Sequence, residues 1–154
     1  MSLLGRLIVI LFAVIAASLV AGMAMAVGVL GPDWPGLSGD IGERVGFWMI
    51  VFFGASVTGA VGFLPLVILI MLAESFKVRS LIAHALLGAV LLLAAAYGSG
   101  LVPPSYEESI DRPPPAIPRE AQIAAAAGAA FGLTYWLIAG RNAGRWRERR
   151  VPSA

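Results

Sequence analysis

The sequence predicts an all-α, polytopic membrane protein: four transmembrane helices in a compact bundle with both termini cytoplasmic. Two observations carry this. First, four long stretches hold no charged residue: Leu7 to Pro32, Val45 to Ala73, Ser80 to Tyr106 and Ala121 to Gly140. About 20 apolar residues of helix cross a hydrocarbon core about 30 Å thick, and each stretch reaches that length. Second, the 154 residues are 59% hydrophobic and 13% charged, with a mean hydropathy of +0.87. A soluble domain is about a quarter charged, so the chain has no room for a separate soluble unit.

The spans fall at about 4–30, 46–73, 80–98 and 120–139, giving a transmembrane domain over residues 1–140. The first ends at Gly31-Pro32, ahead of a connection rich in glycine and proline. Arg6 followed by an apolar run ending in Ala24-Met25-Ala26 also has the outline of a signal peptide. The run exceeds a signal core and continues through Val27-Gly28-Val29-Leu30, which favours a retained signal anchor. Trp34 and Trp48 fall near the outer boundary, where indoles prefer to sit. The second span contains Pro65, a static kink or a hinge. Its tight connection, Glu74 to Arg79, predicts an antiparallel hairpin of the second and third spans. Residues 100–119 hold six prolines and read as an extended outer loop, a spacer or a docking segment for an outer partner. The alanine-rich fourth span follows Pro118, with Glu120 where the helix dipole favours negative charge.

Arginine placement sets the orientation. With both termini and the second connection on one side, that side holds Arg6, Lys77, Arg79, Arg141, Arg145, Arg147, Arg149 and Arg150. The other side holds only Arg44, Arg112 and Arg119. This positive-inside asymmetry predicts a multi-pass protein with both termini in the cytoplasm.

Chemistry is sparse. No cysteine means no disulfide, thiolate site or iron–sulfur cluster, and a single histidine excludes a multi-histidine metal site within one chain. No span carries a mid-membrane charge, which weakens proton-coupled transport, ion pumping and intramembrane hydrolysis. His84, one turn inside the third span, reads either as an axial haem or pigment ligand or proton relay, or as a polar group bonded to a carbonyl, Glu74 or water. Glu74, Lys77 and Arg79 read as a solvated anchor at the turn. Tyr97, Tyr135 and Trp136 read as interfacial belt residues. No catalytic residue, cofactor site or metal site is assigned.

Small residues recur at four-residue spacing: Ala13, Ala17 and Ala21, with Ser18, Gly22 and Ala26 beside them; Gly54, Thr58 and Gly62; Ala124, Gly128 and Gly132. Lipid gives helices no hydrophobic reason to associate, so these stripes are expected at helix–helix contacts, within the chain or with a partner. The tail, residues 141–154, is basic. Arg141, Arg145 and Arg149 share a face if the fourth helix continues, and Trp146, Arg147 and Arg150 join them as an anchor on anionic headgroups. A nucleic-acid partner is disfavoured beside so near an anionic surface.

The segments Ala73-Glu74-Ser75-Phe76-Lys77-Val78-Arg79-Ser80 and Gly132-Leu133-Thr134-Tyr135-Trp136-Leu137-Ile138-Ala139-Gly140-Arg141 resemble stretches in small four-span proteins of α-proteobacteria. The resemblance implies a bacterial inner-membrane location and supplies no catalytic residue. Three functions remain open: a non-enzymatic accessory, scaffold or assembly protein acting by helix and loop contacts with a larger membrane complex; a small homo-oligomeric channel or carrier; and, last, a haem- or quinone-linked enzyme.

Overall fold

A computed structural model describes residues 3–31, 34, 38–102 and 117–144, apart from the side chains of residues 3 and 57–63. Four α-helices follow in order, α1 (Leu3–Leu30), α2 (Ile41–Ser75), α3 (Leu81–Gly98) and α4 (Arg119–Ile138), with a 3₁₀ turn over Gly140–Asn142. At 1.5 Å per residue, the 18 residues of α3 and 20 of α4 extend about 27 and 30 Å. Three helical segments, Leu4–Leu30, Leu81–Gly98 and Arg119–Ile138, are long and apolar enough to cross a membrane. This is the makeup of a helical membrane protein.

Helix α2 is longer than the span expected at 46–73. Its start is set by a capping box: the Asp40 carboxylate accepts from the Glu43 backbone N–H at 2.8 Å, and Glu43 accepts from the Asp40 N–H at 3.1 Å. The helix then continues unbroken through Pro65 to Ser75. Helix α3 is capped by Ser80, whose hydroxyl accepts from the Ala83 N–H.

The helices pack in the order α2, α1, α4, α3. The expected hairpin of the second and third spans is corrected here: α2 and α3 are joined by a short turn but touch sparsely, and α3 lies instead along α4. Side-chain size decides this. On α3 and α4 the facing residues are glycines, and a Cβ on Gly88 or Gly128 would run into the other's backbone carbonyl. A Cβ on Gly132 would meet the His84 carbonyl. Between α2 and α3 the facing residues are Leu66, Leu69 and Ile70 against Leu87 and Leu91, which hold the backbones apart.

A second close seam joins α1 to α2, where Gly22 sits against the Val51 carbonyl and Gly54 faces Gly22 and Met25. Ala13, Ala17 and Ala21 are fully buried in the central core with Leu66, Leu92, Ala127 and Phe131. Many large apolar side chains of α1 and α2 point outward, Leu7, Leu11, Phe12, Met49, Phe53 and Leu64 among them. An apolar exterior over a small-residue interior is the pattern of helices solvated by lipid.

Replacing Gly132 by valine forces α3 off α4 and lowers stability in detergent by about 1–3 kcal/mol, the usual cost of overpacking. Leu133→Ala, on the outward face of the same helix, changes it by less than about 0.5 kcal/mol. Unfolding of both variants in a mild detergent checks the difference.

Candidate functional site

The buried polar side chains among the described residues, Arg6 and His84, lie at the end where α1 begins and α2 and α4 finish. Arg6 is 4% exposed, and its Nε donates to Glu74 Oε1 at 3.0 Å. Its Nη2 donates to the same carboxylate oxygen and, at 2.9 Å, to the Ala139 carbonyl at the end of α4. The other carboxylate oxygen, Oε2, accepts from the Gly144 N–H at 2.9 Å. One ion pair therefore ties together the start of α1, the end of α2 and both sides of the turn after α4. The solvated anchor expected at Glu74 is corrected: its side chain is only 12% exposed and paired with Arg6. Breaking such a pair leaves an uncompensated charge, which is why both partners matter together.

The turn from α2 to α3 is built on the same chain segment. Val78 N–H reaches back to the Ala73 carbonyl at 2.9 Å and Phe76 N–H to Leu72 at 2.8 Å. Lys77 takes the left-handed position (φ 53°) between them, as in a Schellman cap, where glycine is usual. The Lys77 stem lies against Gly144, where a Cβ would come within 2.6 Å of its Cγ. Arg79 donates through Nε to the Ala143 carbonyl at 3.0 Å, and the Trp136 indole donates to the Arg79 carbonyl at 2.8 Å. Lys77, Arg79 and Arg141 are all exposed.

His84 is 6% exposed and stacks on Tyr135, with ring centroids 5.8 Å apart. Its Nδ1 lies 2.8 Å from the Ser80 carbonyl, one turn back, so the Nδ1–H donates and Nε2 carries the lone pair. Nε2 is buried without a partner among the described groups, and its edge is pressed on Gly140, where a Cβ would lie 2.8 Å away. Gly140, by carrying no side chain, is what lets the ring sit this close to the end of α4. The carbonyl contact expected for His84 is the one its Nδ1 makes to Ser80. Tyr135 packs inside, 5% exposed, rather than in an interfacial belt, whereas Tyr97 is 54% exposed.

Beside His84 a lateral groove of about 40 Å³ runs between α2 and α3. Leu66, Leu69, Ile70 and Ala73 form one wall and Leu87 and Leu91 the other, with Gly88, Phe131 and Gly132 at the α4 side. It exists because α3 packs on α4 rather than on α2.

Of the residues singled out by sequence, Gly128 and Gly132 lie at the α3–α4 seam, Ala124 is buried in α4, and Gly54 is turned to α1. The side chains of Thr58 and Gly62 lie outside the described residues, as do Arg145, Trp146, Arg147, Arg149, Arg150 and loop residues 103–116. The shared face of Arg141, Arg145 and Arg149 was conditional on a continued fourth helix; α4 stops at Ile138, and Gly144 takes φ +72° after the 3₁₀ turn. Sequence reading counted Arg6 and Glu74 separately and missed their pairing. The available signal was charge balance, since the side expected to be cytoplasmic carries eight cations and only two acids, Glu74 and Glu148. Among the described residues no group of three His, Cys, Asp or Glu side chains could hold a metal.

Compared with family models, characterised proteins and solved structures, the chain matches none. The fold and its polar end define a helical membrane protein with a buried interhelical ion pair, and the function is argued from those alone.

Removing one member of the ion pair costs more than removing both. Glu74→Ala and Arg6→Ala each destabilise by about 3–5 kcal/mol, and the double variant by less than their sum. A double-mutant cycle of unfolding in detergent measures the coupling, and additive losses contradict the assignment.

Proposed function

We propose that this chain is a non-enzymatic integral membrane accessory, scaffold or assembly protein that works by helix and loop contacts with a larger membrane complex. It threads the bacterial inner membrane four times, with α2 as the additional span and both termini cytoplasmic. The observation that carries the reading is how the interior is used. Its seams are closed by glycine and alanine, and the Arg6–Glu74 ion pair ties helices together. Such an interior supports a structural role, because a transport path or an active site needs polar groups facing a cavity.

The 35 residues of α2, about 52 Å of helix, support its crossing as well. The basic residues Lys77, Arg79 and Arg141 at the ion-pair end, with the arginines of the tail, support a cytoplasmic face against anionic headgroups. The resemblance to small four-span proteins of α-proteobacteria is part of this reading. The alternative, a homo-oligomeric channel lined by the stripe from Gly54, is weakened because Gly54 is already occupied by α1.

Extraction from native membranes in a gentle detergent, after crosslinking, brings a larger membrane protein down with the chain. Purification of the chain alone, under crosslinking that captures known neighbours in the same membranes, overturns the accessory reading.

A further inference from the structure

We propose that Ala24-Met25-Ala26 is a masked cleavage site: a leader-removing peptidase of the outer face cuts after Ala26 only in chains whose α1 has failed to pack on α2 and α4. The proposal rests on the membrane reading above and concerns the end of α1 opposite the ion pair. Length sets the place. Leu7 to Ala24 are 18 residues, about 27 Å of helix, nearly the thickness of the hydrocarbon core. With Arg6 held by Glu74 at the inner end, the alanines at 24 and 26 stand at the outer boundary. A basic start, an apolar run and a small-x-small triplet then follow in the order that such a peptidase reads.

The fold hides this triplet. Ala26 is 0% exposed, packed with Phe47 and Val51 of α2, and Ala24 packs against the central core. Met25 lies against Gly54, where a Cβ would come within 3.1 Å of its Sδ. Beyond the scissile bond, the Val27 carbonyl accepts from the Gly31 N–H at 3.0 Å, and the Gly28 carbonyl accepts from Arg119 Nη2 at 2.9 Å. Ile123 of α4 covers Gly28. Both sides of the Ala26–Val27 bond are therefore helical and held, the alanine by α2 and the turn after it by α4. A peptidase takes its substrate as an extended strand. To reach that form the last turns of α1 must unwind and leave both neighbours, an opening that folded chains make rarely. In an unpacked chain, water adds across the Ala26–Val27 bond, leaving a carboxylate on Ala26 and an amine on Val27. The alanines thus serve twice: they pack α1 into the bundle, and they mark chains in which that packing has not closed.

The test expresses the full-length chain with a carboxyl-terminal epitope tag in bacterial cells and reads the amino termini of its products by mass spectrometry. The expected result is that the unaltered chain keeps residues 1–26. Val51→Trp crowds α2 off Ala26 without touching the site's own sequence, and its main product begins at Val27, 26 residues shorter. Ala26→Leu added to Val51→Trp abolishes that product, because the position before the cut must be small. Leu64→Trp, on the outward face of the same helix, leaves the chain whole. An unaltered chain that begins at Val27 overturns the proposal, since the triplet is then an ordinary leader site. So does a Val51→Trp chain that stays whole or yields only other termini, and so does a Val27 product that survives Ala26→Leu. A cysteine at Ser38, labelled from outside by an impermeant maleimide, reports threading separately. Labelling there beside an uncut Val51→Trp chain faults the masked site and leaves the membrane reading standing.

Discussion

Helices solvated by hydrocarbon gain nothing by burying leucine, since lipid tails are as apolar as the side chains they replace. Cohesion must come from close packing and from hydrogen bonds that lipid cannot make. The bundle follows this constraint at each major seam. Gly22 meets the Val51 carbonyl, Gly88 and Gly128 meet each other's carbonyls, Gly132 meets His84, and the alanines of α1 fill the centre. Where small residues face one another the helices close. Where leucines face one another, between α2 and α3, they stay apart and leave a groove.

The same constraint explains the polar end. A charge taken from water needs a partner and its remaining hydrogen bonds. Arg6 finds the Glu74 carboxylate and the Ala139 carbonyl, and Glu74 finds the Gly144 N–H besides. Three helix ends are fixed by these few contacts, and the glycine seams set the spacing along the rest. His84 belongs to this arrangement: its ring fills the space between Tyr135 and Gly140, with Nδ1 spent on its own helix. Lys77 in a left-handed turn position is held by Gly144, whose own φ of +72° turns the chain after α4.

Much of this was legible in the sequence, because hydrophobic length and small-residue spacing act locally. The helices at 4–30, 80–98 and 120–139 stand within a residue or two of α1, α3 and α4. The early start of α2 was written in Asp40 and Glu43, a capping pair hidden by the expectation that a helix begins where charge ends. The pairing of helices was not legible, because a short turn between α2 and α3 says nothing of which faces are thin enough to touch. Nor was the Arg6–Glu74 pair, which joins residues 68 apart and depends on that pairing. The break after Ile138, followed by a 3₁₀ turn and by Gly144 at φ +72°, was not legible either, because Gly140 and Gly144 read as ordinary small residues.

Threading through the membrane is the claim on which the accessory role stands. The chain has no cysteine, so single cysteines introduced at Ser38, Ser75 and Ser105 report accessibility without background. In intact bacterial cells a membrane-impermeant maleimide labels Ser38→Cys and Ser105→Cys, and reaches Ser75→Cys only after the membrane is opened. Labelling of Ser38→Cys and Ser75→Cys from the same side contradicts the account.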